Sequence, residues 1–329
     1  MPRVLITPVQ FRDPDASYYA VLKEVGFELV FPKNQQYTSD PEALLSELSG
    51  MDAAIASTEP YTADVLARAN LRVVARTGVG YDSIDVPAAT ANCTLVTITP
   101  GAVDQSVAES TLALIFAVYR DVVARDQEVR AGEWQRRAMP RLQNKTLGIL
   151  GLGRIGRTVA RLAQGVNLKV IAHDPFADEA ATTQLGIRLT TVDELLSEAD
   201  IVSLHTPCTS ETANFIRRET LEKMKPDAVL INTGRGGLVN ENDLYHAMSA
   251  GHLRGAALDV FQKEPTPAEN PLLSLSNVIV APHTAGLDHQ SEIDMPRIAA
   301  ECVAKLFRGD WPDGCVINES LRETWRWRD

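Results

Sequence analysis

Three side chains of complementary chemistry stand just beyond short apolar runs. Arg235 lies in Asn232-Thr233-Gly234-Arg235-Gly236-Gly237, Glu264 follows Leu258-Asp259-Val260-Phe261, and His283 lies in Ala281-Pro282-His283-Thr284-Ala285-Gly286. An imidazole can pass a proton to an oxygen as a bond forms at the neighbouring carbon. A carboxylate beside it orients the ring and favours its protonated form. A guanidinium grips a carboxylate in a bidentate fork and polarises an adjacent carbonyl. Plainer readings exist for each: a structural loop cation, a solvated acid before Pro265, and a histidine satisfied inside the fold. All three sit past strand ends, where open α/β sheets bind ligands, and glycines flank Arg235. That placement favours chemistry.

A reaction of this kind needs a hydride carrier, and Lys145 to Phe176 reads as its holder. An apolar run (Thr146 to Leu150) leads into Gly151-Leu152-Gly153-Arg154-Ile155-Gly156, then a helical stretch from Arg157 to Ala163. A second apolar run (Leu168 to Ala172) ends at Asp174. Gly151 permits a tight turn, Gly153 lets backbone amides approach a pyrophosphate, and Gly156 lets the helix press on the strand. Asp174 stands at the spacing, about 20 residues, of an acid that accepts hydrogen bonds from a ribose 2′-hydroxyl. Its charge repels a 2′-phosphate, so NAD is expected rather than NADP. A lone glycine motif is weak, but strand, glycines, helix, strand and acid in this order form a specific pattern.

The elements around these residues alternate. Strands are expected at Val4–Thr7, Glu28–Phe31, Ala53–Ser57, Arg72–Arg76 and Leu95–Thr97, with helices near Ala16–Val25, Pro41–Leu48 and Thr62–Ala69. After the break at Thr99-Pro100-Gly101, Val103 to Ala131 reads as one long helix without internal proline or glycine, apolar from Leu112 to Val118. A second series of strands follows at Thr146–Leu150, Lys169–Ala172, Ile201–Leu204, Val229–Asn232, Gly255–Leu258 and Val278–Ala281. A further helix (Ile293 to Phe307) and a Trp-rich tail close the chain, the tail expected to cover the outside of the first lobe. The fold expected is α/β, with two doubly wound parallel-sheet (Rossmann-like) domains. Residues 1–99 and 287–329 would form a discontinuous substrate-binding domain and 100–286 the dinucleotide domain, the ligand lying in a cleft between them.

Composition excludes several classes. With 329 residues, 45% of them hydrophobic, the chain can bury two sizeable cores. A net charge of −11 argues against general attraction to nucleic acid or an anionic membrane. No apolar run is long enough to span a bilayer, and no signal-peptide pattern precedes the strand beginning at Arg3. Cys93, Cys208, Cys302 and Cys315 are scattered and form no CxxC pair, which fits reduced thiols in a cytoplasmic protein. The six histidines lack ligand-like spacing, so no metal is expected.

Taken together, these motifs resemble the NAD-dependent D-2-hydroxyacid dehydrogenases, the group that includes phosphoglycerate dehydrogenase and glyoxylate or hydroxypyruvate reductase. The matching segments are Gly78-Val79-Gly80-Tyr81-Asp82, Ser106-Val107-Ala108-Glu109, the glycine motif, His205-Thr206-Pro207, Asn232-Thr233-Gly234-Arg235-Gly236, Asp259-Val260-Phe261 with Glu264-Pro265, and Pro282-His283-Thr284-Ala285-Gly286. The resemblance implies that Arg235, Glu264 and His283 are catalytic, with His283 the acid/base. It implies that Val79, Gly80 and Arg235 bind the carboxylate of a small 2-oxo or 2-hydroxy acid. Around the glycines and Asp174, it places Arg154, Ile155, His205, Thr206, Pro207, Thr212, Thr233, Gly234, Asp259, Ala285 and Gly286 at the NAD site. A homodimer through the cofactor domain is also implied. Cys208 stands where the family more often has leucine, and Asp104-Gln105 where asparagine is frequent, which blurs the subfamily. No regulatory module is expected after Asp329. Two other readings share this frame. One is a nucleotide-sensing corepressor-type scaffold, which needs no complete catalytic set. The other is a formate or phosphite dehydrogenase, whose glutamine at the Glu264 position or lysine in the Gly78–Gly80 stretch is not present here.

Overall fold

Uninterrupted runs of small and branched apolar residues become strands covered on both faces, as parallel sheets require. In the first series these are β1 (Arg3–Ile6), β2 (Glu28–Val30), β3 (Ala53–Ala56), β4 (Val73–Arg76) and β5 (Leu95–Thr97). All pair in parallel, in the order β2-β1-β3-β4-β5. The second series is β6 (Thr146–Leu150), β7 (Lys169–His173), β8 (Arg188–Leu189), β9 (Ile201–Leu204), β10 (Val229–Asn232), β11 (Gly255–Leu258) and β12 (Val278–Val280). Its order is β12-β11-β10-β9-β6-β7-β8, again parallel throughout. Strand order reverses between β6 and β9, which opens a crevice at their carboxyl ends. This computed structural model describes residues 1–327. Arg328 and Asp329, the end of the Trp-rich tail, lie outside the described residues.

The chain forms two compact units. One comprises Met1–Val103 and the chain from Leu287 onward; the other is Asp104–Gly286. In the first, Leu5, Ala54, Val74 and Val96 pack with Leu44, Leu48, Val65 and Leu66 from the flanking helices. Its tail does cover this unit: the Trp325 indole donates to the Cys93 carbonyl (3.1 Å), and Trp327 meets Phe27 and Phe307. In the second, Ile149, Val170, Ile201, Val229 and Ala257 pack against Ala108, Ile115, Val159 and Ala163.

The long helix expected from Val103 to Ala131 is instead two helices, Asp104–Tyr119 and Val122–Arg130. Between them Asp121 adopts a left-handed conformation (φ 57°), which a short polar side chain tolerates better than most. The cause is burial. Through Tyr119 the helix has a face to bury, including Ala108, Ile115 and Val118, whereas Val122–Arg130 buries no residue. Without a core to follow, nothing holds the helix straight. The two-residue edge strand β8 and the helix Val86–Ala91 were not expected from the sequence.

Candidate functional site

The three glycines of the turn Gly151 to Gly156, in the second unit, differ in what surrounds them. Gly151 has φ +93°, and a Cβ there would lie 2.6 Å from the His205 carbonyl. A Cβ on Gly156 would lie 2.1 Å from the Gly151 oxygen, so the helix Arg154–Gly165 can press on β6 only without one. A Cβ on Gly153 would meet no protein atom within 4 Å. Gly153 is also the N-cap of that helix, and no side chain caps it. Its first amides are therefore available to an anion, as a pyrophosphate requires. Arg154 pairs with Asp104 (2.7 Å), and Ile155 packs partly against the core.

Asp174, just past β7, accepts from the Leu152 amide (2.7 Å) through one oxygen and from the Phe176 amide (2.8 Å) through the other. The acid is thus tied to the glycine turn itself. Together these features leave room and backbone donors for an anion at the Gly153 end of the helix, beside an acid fixed at Asp174. Past β9, His205 donates its amide to Leu150 (2.7 Å), and its Nε2 pairs with the Ser203 hydroxyl (2.8 Å). Burial pushes its pKa down to about 4, so the ring is neutral at ordinary pH. Thr212 closes the next loop, accepting from the Thr209 amide and donating to the Pro207 carbonyl (both 2.7 Å), with Thr206 at the loop's start.

Beyond β10 the buried Asn232 shapes the loop bearing Arg235. Its side chain accepts from the Gly234 amide (3.1 Å) and donates to the Arg235 carbonyl (2.9 Å). Thr233 shares a hydroxyl contact with Thr111 (2.8 Å). Beyond β11, Glu264 accepts from the Phe261 amide (2.9 Å), and Glu241 holds the same loop through the Gln262 amide (2.6 Å).

His283 follows β12 with φ 56°, an unfavourable region for a non-glycine residue. The surroundings enforce it. The His283 amide donates to the Asp259 carbonyl (2.7 Å), while the Asp259 carboxylate accepts from Thr284 (2.8 Å) and Ala285 (2.9 Å). The Ala285 carbonyl accepts from Ser106 (2.9 Å) and Ser110 (3.2 Å), just before Gly286 ends the unit. Strain held by so many bonds is the kind found at working sites.

The outcome is a bond of 2.6 Å between His283 Nδ1 and a Glu264 carboxylate oxygen. Burial raises the pKa of Glu264. The His283 and Phe261 bonds and the charges of His283 and Arg235 outweigh it, holding the acid below its ordinary value. An ionised Glu264 accepts from Nδ1–H and leaves Nε2 for proton exchange. Arg235, whose charge acts on Glu264, completes the set within this unit. Asp259 is nearly inaccessible, and burial holds its acid above the usual range despite the two amides it accepts. Its visible task is to hold the His283 loop.

Val79 and Gly80 belong to the first unit, in the loop after β4. Gly78 (φ +129°) turns the chain there, pinned by Thr99, and the two following amides meet no protein acceptor among the described residues. Ser106, Ser110 and Glu241 had no role assigned from sequence. The first two carried a faint signal, since polar residues on a largely apolar helix need partners. No metal-holding cluster occurs among the described residues.

A hydride-transfer frame of this type has known counterparts. The model of the D-isomer specific 2-hydroxyacid dehydrogenase NAD-binding domain matches residues 112–285. A glyoxylate reductase of Korarchaeum cryptofilum is 38% identical over 307 residues, 91% of this chain and 92% of that protein. A D-3-phosphoglycerate dehydrogenase of Archaeoglobus fulgidus is 37% identical over 82% of this chain, which spans only 52% of that longer protein. The TT0316 protein of Thermus thermophilus superposes with a TM-score of 0.84 at 36% identity, covering 96% of this chain and 100% of its own. A D-lactate dehydrogenase of Aquifex aeolicus, solved with NAD and lactic acid, gives 0.84 at 28% identity over 95% and 98%. The chain belongs to the D-isomer specific 2-hydroxyacid dehydrogenases. It is an NAD-dependent oxidoreductase acting on the CH–OH group of a 2-hydroxy acid, built on two parallel α/β sheets.

Proposed function

We propose that the protein reduces a small 2-oxoacid of the glyoxylate or hydroxypyruvate type, or runs the reverse oxidation, with His283 as acid/base. The observation that carries this reading is the 2.6 Å Glu264–His283 bond under the charge of Arg235. NAD(H), when bound, supplies the hydride. His283 Nε2 gives the carbonyl oxygen its proton, Glu264 stabilises the charged ring, and Arg235 holds the substrate carboxylate. We assign the amides of Val79 and Gly80 to carboxylate binding as well. Gly151, Gly153, Arg154, Ile155, Gly156 and Asp174 are assigned to the cofactor. His205, Thr206, Pro207, Thr212, Thr233, Gly234, Ala285 and Gly286 line its remainder, with Asp259 supporting.

The glyoxylate reductase relative supports a short substrate; the phosphoglycerate dehydrogenase relatives support 3-phosphoglycerate as a second reading. Oxidation of NADH with glyoxylate, hydroxypyruvate, pyruvate and phosphohydroxypyruvate decides between them. Binding of NADH without turnover on any of these would reinstate the corepressor-type reading. A homodimer is supported by exposed Phe116, Val122, Val123, Val129 and Trp134, apolar side chains of one region of the second unit. Light scattering giving a monomer mass at micromolar concentration would remove it. No helix among the described residues is long and apolar enough to cross a membrane. The four free thiols suit a cytoplasmic setting, which cell fractionation checks.

A further inference from the structure

The loop that carries Glu264 has no hydrophobic anchor of its own. From Gln262 to Glu269 no residue is buried, whereas Phe261 before them and Asn270 after them are. Few buried contacts leave a segment free to open locally, so polar contacts must hold Glu264 in place. One of its oxygens accepts from the Phe261 amide (2.9 Å) and the other meets His283 (2.6 Å). The direction of the carboxylate is therefore set by the backbone at Phe261.

That backbone is held at two points by the segment that follows Arg235. Gly236 lies so close that a Cβ on it would be 1.9 Å from the Phe261 carbonyl carbon and 2.6 Å from the Gln262 nitrogen. Further along, Glu241 opens the helix Glu241–Ser249. One of its oxygens accepts from the Gln262 amide (2.6 Å), the other from the Asn270 side chain (2.6 Å). Asn270 in turn donates to Thr266 (3.1 Å) and accepts from the Leu272 amide (3.1 Å). A single carboxylate thus grips both ends of the exposed loop, through bonds to a charged acceptor, the stronger class. The helix does not need it as a cap, because Asn240 accepts from the Asp243 amide (3.1 Å).

We propose that Glu241 is a positioning residue for the proton transfer: it fixes the Phe261–Gln262 backbone from which Glu264 is aimed at His283. The inference rests on the reading of Glu264 and His283 given above. Glu241 bonds to the Gln262 backbone and to Asn270, so it acts through Glu264 and not on the reacting atoms.

The test is a double-mutant cycle on the full chain, read as turnover of NADH with the better of glyoxylate and hydroxypyruvate. Glu264→Ala should lower kcat by roughly 10²-fold or more. Glu241→Ala should lower it by roughly 10-fold, up to the 10²-fold that a misplacement of one ångström can cost, with the KM of the oxoacid little changed. The double variant should lose no more than Glu264→Ala alone, because the two residues act as one unit. Glu241→Gln keeps an acceptor for the Gln262 amide and should recover most of the loss. NADH affinity, from fluorescence titration, should stay at its original value in every variant, which also shows each to be folded. Where Glu241→Ala does not fold, Glu241→Asp takes its place in the cycle, keeping the charge but reaching one methylene less far. Full kcat in the Glu241 variant, a rise in KM alone, or losses that multiply in the double variant would each overturn the positioning role while leaving Glu264 in place. Full turnover by Glu264→Ala would overturn the proton-transfer reading itself, and this inference with it.

Discussion

The two units solve the same topological problem and fill it differently. Each sheet reverses its strand order once, between β1 and β3 in the first unit and between β6 and β9 in the second. Each reversal opens a crevice at the strand ends. In the first unit side chains occupy that place. Tyr37 donates to the Thr7 carbonyl (2.8 Å), Arg12 donates to the same carbonyl (3.0 Å) and to Tyr37, and the buried Glu59 accepts from the Ser57 amide (2.7 Å). Burial pushes the Glu59 acid above its usual range. In the second unit the corresponding turn is Gly151 to Gly156, with space above Gly153 and an uncapped helix end. A doubly wound sheet therefore provides a crevice, but only the absence of side chains leaves room in it for an anion.

The largest expected effect falls on the second unit's chemistry. His283→Asn should lower kcat by roughly 10²–10⁴-fold, the span of general acid–base catalysis. NADH affinity should stay near its original value, because the glycine turn and Asp174 are untouched. Stopped-flow turnover with fluorescence titration of NADH measures both. Retained turnover would take the proton-transfer role away from His283.

A pair of glycine substitutions sharpens the contrast between an open and a filled crevice. Gly156→Ala drives a Cβ onto the Gly151 oxygen, so folding itself should suffer by about 1–3 kcal/mol of overpacking. Gly153→Ala meets no protein atom, so its folding cost should stay below about 1 kcal/mol, while NADH binding weakens markedly. Calorimetry and NADH titration on the two proteins separate packing from ligand approach. Equal losses of stability would mean that Gly153 serves the fold and not the phosphates.

How far the sequence revealed this depends on the range of the interaction. The strands were legible because Thr146–Leu150 or Val229–Asn232 are local apolar runs, and period and punctuation are local properties. The glycine turn and Asp174 were legible for the same reason, being close in sequence. Arg235, Glu264 and His283 could be named, but the 2.6 Å bond between Glu264 and His283 depends on Asp259 gripping Thr284 and Ala285, a contact no local pattern encodes. The break at Asp121 was hidden because burial of the preceding helix, not a proline or glycine, decides it.

The smallest expected effect separates a neutral histidine from a working one. Burial takes His205 from 6.5 to about 4, whereas an unfolded chain protonates it near the ordinary value. Between those two pH values the unfolded state binds more protons, so stability rises with pH across the window. Stability contributed by the neutral ring is thus complete above about 6.5 and is lost as pH falls toward 4. Other carboxylates titrate at the lower end of this window, whereas the lowered pKa of Glu264 puts the loss of its contribution from the ordinary carboxylate value downward. The informative quantity is therefore a difference between two proteins. His205→Gln can still meet the Ser203 hydroxyl but cannot take the proton. Its unfolding temperature should fall less steeply than the wild type's as pH drops through this window, with the two curves running parallel above it. Parallel curves throughout would mean that His205 is solvated enough to titrate normally. The β6–β9 crevice would then be wet at His205, and its neutral ring would have no part in shaping the cofactor site.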